Sequence, residues 1–322
     1  MLKVSIIGLG NIGAKFDNLK NVSRSHLDAV LKCNLNPIAL IDKSNNNFNL
    51  IKKKFKIKKD IFNQPNKIKK KIYSDILVVS TSPINRYKTI KNISNKIKSD
   101  FLIIEKPISA SLNDAKLLIR YLSKSKKKAL VNYQRNWDKK TLTFLKKVKK
   151  KKIELINVIY SKGFLNNASH YLYEILKICG KINYKSLKIY SYTKTPYKNF
   201  SFFIKIGGIP VNFISSKFDK NKIEYQELSI HCNDSVFELK SGGVLKRETF
   251  MKKNEIYKGY NFLNTKSKNY HVGPLNSLVN LYKEVKQIIL KKKKYDSKIL
   301  ILSLEILKLN EALEKYAKNK KI

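Results

Sequence analysis

Five short apolar runs, each leading into a polar or glycine-rich turn, set the limits on what the first half of this chain can form. They read KVSIIG at Lys3–Gly8, PIALI at Pro37–Ile41, ILVVS at Ile76–Ser80, FLII at Phe101–Ile104 and ALVNY at Ala129–Tyr133. Runs this short and this uniformly apolar suit strands buried on both faces. Helical patterns lie between several of them, at His26–Leu31, Ile84–Ile97 and Asn113–Ser123. Strand alternating with helix implies a parallel sheet covered on both sides, and such sheets bind ligands beyond the carboxyl ends of their strands.

The residues at those ends are therefore informative. The first run enters Gly8-Leu9-Gly10-Asn11-Ile12-Gly13, a GxGxxG turn. Its first glycine permits a tight turn, its second lets backbone approach a pyrophosphate, and its third allows helix to pack on strand. The second run ends at Asp42, an acid placed to hold ribose hydroxyls, which favours NAD and disfavours a 2′-phosphate; a plain turn acid is the alternative. Lys43 beside it keeps NADP open. The polar stretch Lys15–Ser25 reads as an insertion that lengthens the gap between the glycines and Asp42. The third run ends in Thr81-Ser82-Pro83 and the fourth in Glu105-Lys106-Pro107. Proline lacks the N–H that a sheet ladder needs, so the fourth strand stops there and presents an acid and an amine at its tip. Read alone, that pair is as well explained as a surface ion pair. All four turns should converge on one crevice.

A length of 322 residues favours two domains. The pattern suggests a dinucleotide-binding domain over 1–134 and an α+β domain over 135–322, with the final helix returning to the first. Alternating or β-rich runs fill the second half at Ile153–Tyr160, Leu187–Tyr192, Ser201–Ile206, Pro210–Ser215, Tyr225–His231 and Val236–Leu239. Gly242-Gly243 supports a turn, and two helices, Leu275–Leu290 and Ser297–Ala317, close the chain. The lysine-rich bridge 146–152 reads as a linker.

The net charge of +45 invites a nucleic-acid reading, which the composition argues against. Of 68 basic residues only five are arginine, the side chain that reads bases and phosphates bidentately. The lysines scatter through every segment alongside abundant Asn and Ile, as AT-rich codons would produce. No apolar run approaches the roughly 18 residues of a membrane span, and the N-terminus lacks the layout of a signal peptide. Cys33, Cys179 and Cys232 are odd in number and have no CxxC or metal-ligand spacing. They read as reduced thiols in a cytoplasmic protein without structural metal.

GLGNIG, Ser80–Pro83 (STSP), Glu105–Pro107 (EKP) and Val131–Trp137 (VNYQRNW), taken together and in this order, resemble the Gfo/Idh/MocA oxidoreductases. A fifth stretch, GFLNNASHYLYEIL at Gly163–Leu176, resembles that family's approach to a helix carrying a substrate-site histidine. The resemblance implies a Rossmann domain followed by an open, mostly antiparallel sheet. It further implies hydride transfer between NAD(P) and a carbinol or carbonyl of a sugar or sugar-nucleotide derivative. The long segment after the glycines is shared with members associated with surface-polysaccharide sugars.

Carried over residue by residue, the resemblance makes Lys106 the catalytic lysine and His170 its proton-accepting or substrate-binding partner. Cofactor contacts are expected from Gly8, Gly10, Asn11, Ile12, Gly13, Asp42, Thr81, Ser82, Pro83, Glu105 and Lys106. Tyr133, Arg135, Trp137, Asn166, Asn167, His170 and Tyr173 are the expected substrate contacts. For Tyr133, Arg135 and Trp137, packing where one domain hands over to the next is the equal alternative. Two departures stand out: Asn166 and Tyr173 occupy positions where many members carry Asp. Arg86 stands where members often have His. The missing carboxylates keep a second reading open, a cofactor-binding sensor or scaffold without catalysis. His231 and His271, without companions at ligand spacing, read as structural. The resemblance also implies a homo-oligomer, dimer or tetramer.

Overall fold

The computed structural model describes residues 1–16, 22–57, 61–194, 197–216, 225–264, 267–271 and 276–319. In chain order the first elements are β1 (Lys3–Ile7), α1 (His26–Lys32), β2 (Asn36–Ile41), α2 (Asn45–Phe55), β3 (Phe62–Asn63), β4 (Ile72–Tyr73) and β5 (Ile76–Val79). They continue with α3 (Arg86–Ser94), β6 (Ile97–Lys98), β7 (Phe101–Glu105), α4 (Leu112–Lys124) and β8 (Lys128–Asn132). Six of these strands form one sheet in the order β3-β2-β1-β5-β7-β8, every pair parallel. This is the doubly wound dinucleotide-binding order, with β1 at the centre. Every residue of β5 and β7 is buried, as a sheet covered on both faces requires. Ser25 and Ser111 cap α1 and α4, each hydroxyl accepting from the amide three residues on.

The remaining elements are α5 (Lys139–Val148), β9 (Ile153–Tyr160), α6 (Ser169–Cys179), β10 (Ile182–Thr193), β11 (Asn199–Ile206), β12 (Ile209–Ser215) and β13 (Gln226–Cys232). After them come β14 (Ser235–Lys240), β15 (Leu245–Lys253), β16 (Asn261–Leu263), β17 (Lys268–His271), α7 (Ser277–Ile289) and α8 (Lys298–Asn319). The second sheet runs β10-β11-β12-β9-β13-β14-β15-β16, with β17 also on β15; only β12 and β9 pair in parallel. Burial alternates strictly along β13 and β14, the mark of a sheet packed on one face. On its packed face Phe202 stacks on its cross-strand partner Phe213 at 4.6 Å, and Phe164 meets both edge-on.

Two compact units result, Met1–Asp138 with Leu275–Leu307, and Lys139–Pro274 with Lys308–Ile322. The first is thus discontinuous, taking in α7 and the start of α8. The expected linker at 146–152 is ordered instead. It ends α5 and turns into β9, with Lys147 2.8 Å from Glu248 and Lys151 2.5 Å from Asp234. The expected insertion at Lys15–Ser25 and the first residue of the expected Leu275–Leu290 helix fall partly outside the described residues. No described helix is long and apolar enough to cross a membrane.

Candidate active site in the first unit

At the end of β1 the chain turns on Gly8, whose φ is +88°. A Cβ there would sit 2.7 Å from the carbonyl carbon of Ser80 and the amide of Thr81, so the turn closes directly against the end of β5. Gly13 lies under the same turn, and a Cβ on it would collide with the Gly8 carbonyl. Gly10 differs from both: nothing lies within 4 Å of where its Cβ would be. Two glycines close the turn and the middle one borders open space, the cradle a pyrophosphate needs. After Gly10 the chain makes a single π-helical turn, Asn11–Lys15, and α1 begins only at His26. The chain therefore does not run from the glycines straight into a long helix.

Beyond Gly10 opens a pocket of about 900 Å³. Gly8, Gly10, Asp42, Ser80, Thr81 and Ser82 line it, all at carboxyl ends of strands. Asn11, Ile12, Pro83, Glu105 and Lys106 are not in that lining. Asp42 also ties down its own surroundings, since Oδ2 accepts from the Leu9 amide at 2.6 Å and Oδ1 from the Ser44 amide at 2.9 Å. Its position at the end of β2 suits ribose hydroxyls, and each oxygen keeps a lone pair beyond these bonds. Lys43, Lys88 and Lys96 line the same pocket, so the residues present fit either form of the nicotinamide cofactor. A second depression, about 640 Å³, lies at the other end of the sheet, among Lys3, Asp75, Asp100 and Lys127.

The tip of β7 is built differently. Arg86, in the first turn of α3 and 1 % exposed, donates to the carbonyls of Thr81, Glu105 and Pro107, the last at 2.9 Å. One guanidinium thus fastens the Thr81 loop to the turn that carries Lys106. Burial lowers the Arg86 pKa to about 10, with Glu105 and Asp114 opposing the fall, so the side chain stays charged. Glu105 is 8 % exposed, and its Oε1 accepts from His26 Nε2 at 2.8 Å and from Asn132 Nδ2 at 2.5 Å. Burial pushes its carboxyl up, but the hydrogen bonds from His26 and Asn132 and the charge of Lys106 outweigh this and hold it below the usual range. Lys106 itself is half-buried.

Residues 2–133 match a family model described as an oxidoreductase family with an NAD-binding Rossmann fold, GFO_IDH_MocA. Over these residues the chain is similar to the Gfo/Idh/MocA oxidoreductases. Solved structures extend the likeness in fold to nearly the whole chain. A mutant of KijD10, a 3-ketoreductase from Actinomadura kijaniata in complex with TDP-benzene and NADP, superposes with a TM-score of 0.72 at 9 % identity, covering 98 % of this chain and 97 % of its own. UDP-N-acetylglucosamine 3-dehydrogenase GnnA from Acidithiobacillus ferrooxidans gives 0.70 at 10 % identity, with 97 % and 96 % covered. A super-repressor mutant of Gal80p from Saccharomyces cerevisiae gives 0.71 at 12 %, with 98 % and 95 % covered. No curated protein matches the chain.

The remaining expected residues of this unit are inside it. Tyr133 is 1 % exposed, and its hydroxyl, bonded to Ser303, is held well above the usual phenol range by burial. That makes it a core residue of the first unit, in keeping with the packing alternative held beside its substrate contact. Arg135 and Trp137 are buried in a 3₁₀ turn, Gln134–Trp137, where the Trp137 carbonyl accepts from Asn280 Nδ2 at 2.9 Å.

In the second unit a π-helical turn, Phe164–Ala168, leads into α6. It is anchored by Phe164 in the aromatic core and by the Gly163 amide donating to Asn199 Oδ1 at 2.8 Å. Asn166 is exposed, His170 half-buried, and Asn167 and Tyr173 buried. His170 and Tyr173 are three apart on α6 and share a face. The Lys177 ammonium sits 5.6 Å from the Tyr173 ring centroid, a cation–π contact.

His26 and Asn132 are not among the residues the sequence singles out, and Arg86 stands out there only as a departure. His26 stands in SRSH as a helix start, and its partners are 79 and 256 residues away. Only tertiary structure shows it. All three cysteines are free, and burial raises each thiol.

Proposed function

We propose that the chain is an NAD(P)-dependent dehydrogenase or reductase acting on a carbinol or carbonyl of a sugar or sugar nucleotide, with Lys106 as the reacting amine. The observation that carries this is the construction at the tip of β7. A buried arginine and a buried, twice-bonded carboxylate flank one half-buried lysine at the carboxyl edge of a dinucleotide-binding sheet. Surface ion pairs need no such support. The bound nicotinamide would supply or accept the hydride. Lys106, in this reading, hydrogen-bonds the reacting oxygen, takes its proton in oxidation and returns it in reduction. Gly10 provides close backbone approach for the pyrophosphate, and Asp42 holds ribose. His170 is proposed as the second polar group on the reacting sugar. KijD10 is described as a 3-ketoreductase in complex with TDP-benzene and NADP, and GnnA as a UDP-N-acetylglucosamine 3-dehydrogenase, which supports the sugar-nucleotide class.

The experiment is turnover with UDP- and TDP-sugars, followed by nicotinamide absorbance, in the wild type and in Lys106→Ala. The substitution should cut turnover by about 10³-fold, the range for a positioned acid–base group, while nicotinamide binding survives. Turnover left intact would remove Lys106 from the reaction. A second reading, a nucleotide-binding sensor, draws on Asn166 and Tyr173 replacing carboxylates and on the Gal80p likeness. Turnover of any sugar by the wild type rules it out.

A further inference from the structure

The groups around Glu105 do more than fill the space behind β7. His26, fully buried in the first turn of α1, has Nε2 2.8 Å from Glu105 Oε1 and Nδ1 2.9 Å from the Tyr282 hydroxyl on α7. An ionised carboxylate only accepts, so Nε2 carries a proton and donates. The Tyr282 phenol is raised far above its usual value by burial and then by Cys33 and Glu105, so it keeps its O–H and pairs with the ring at Nδ1, holding the imidazole from both sides. Asn132, from β8, adds a second donor on the same oxygen, and Oε2 takes part in neither bond. Burying an imidazole and a carboxylate this way gains little stability over an apolar pair of equal volume. Lys106 in the following turn and Arg86 on α3 are charged groups that act on Glu105.

We propose that His26 and Asn132 form a clamp that keeps Glu105 ionised and fixed at the tip of β7, so that its charge tunes how tightly the Lys106 amine holds its proton. His26 is then a positioning residue. Its meaning for catalysis rests on the reading of Lys106 given above. Withdrawing a donor leaves the buried carboxylate less stabilised as the anion and less firmly fixed, so its negative charge acts on Lys106 more weakly.

The test reads the amine directly. The full-length protein, without cofactor, is labelled with trace acetic anhydride across a pH series, and the Lys106 peptide is quantified by mass spectrometry. His26→Leu should move the half-reactivity point of Lys106 to lower pH by about one unit, the scale of one lost charge partner. His26→Gln, whose amide can donate as Nε2 does, should restore it. Asn132→Leu should shift it the same way, and decides the matter if circular dichroism shows His26→Leu unfolded. A half-point unchanged or raised, or a fall that glutamine fails to reverse, overturns the clamp. Labelling is independent of turnover, so a Lys106→Ala protein that still turned over would end the catalytic reading and leave the clamp standing.

Discussion

Two turns at the same edge of the first sheet, the glycine turn after β1 and the charged tip of β7, reach their conformations by opposite means. The first is made by leaving atoms out. Gly8 and Gly13 close the backbone on itself, and Gly10 borders space. The second is made by adding groups, with Arg86, His26 and Asn132 converging on Glu105 from α3, α1 and β8. Omission produces a site that any side chain ruins by size. Convergence produces one that a wrong charge ruins at unchanged volume.

The largest expected effect tests the first half of this contrast. Gly13→Ala should destabilise the protein by about 3 kcal/mol or more, because its Cβ would drive into the Gly8 carbonyl and neither backbone segment can yield cheaply. Chemical denaturation measures it. A loss under about 0.5 kcal/mol would mean that the turn is not closed on itself and that the contrast fails at its first term.

Arg86→Met probes the other turn at nearly constant volume. Three carbonyls, of Thr81, Glu105 and Pro107, lose their donor together. The expected cost is about 2–3 kcal/mol, and Arg86→Lys should recover only part, since an ammonium lacks the guanidinium fork. Full rescue by lysine would show that charge alone matters there.

How far these sites are legible without coordinates follows from the same contrast. The glycine turn and the strands β5 and β7 stand out in the sequence because their causes are local: glycines at fixed spacing, and apolar runs uninterrupted because both faces are covered. The alternating β13 and β14 are legible for a related reason. Elements whose apolar side is thin are not. NNNFNLIKKKF in α2 buries only Ile51, and LKRETFMKK in β15 reads as charged although Lys246 and Glu248 are buried. Lys147, within a lysine run that resembles a linker, pairs with Glu248 a hundred and one residues on. His26 escapes notice because its role depends on β7 and α7 meeting α1. Tyr133 is open to two readings because the motif gives its residue type and not its surroundings, and only the fold shows it buried with its hydroxyl on Ser303.

A smaller effect concerns acid. Glu105 is held below the usual carboxyl range, so its ionisation stabilises the fold above the unfolded value and that contribution is lost as pH falls through the folded one. Wild-type stability should therefore drop more steeply on acidification, from about pH 6 to about pH 3, than that of Glu105→Gln. Parallel curves would mean that the carboxylate at the tip of β7 contributes nothing as a charge.

The smallest effect on the fold separates the two turns most cleanly. Gly10→Ala places a methyl group in open space at an ordinary negative φ of −70°, so stability should stay within about 0.5 kcal/mol. The same methyl group stands where the pyrophosphate must come against the backbone, and nicotinamide nucleotides should bind about tenfold or more weakly by fluorescence titration. Among the three glycines, this one alone should lose binding without losing stability. If Gly10→Ala bound normally, the space beside Gly10 would not be the pyrophosphate cradle, and the pocket bounded by Asp42 and Thr81 would have to take its ligand in another pose. If it unfolded, the open space would belong to the fold rather than to a ligand, and the turn after β1 would be closed at all three of its glycines.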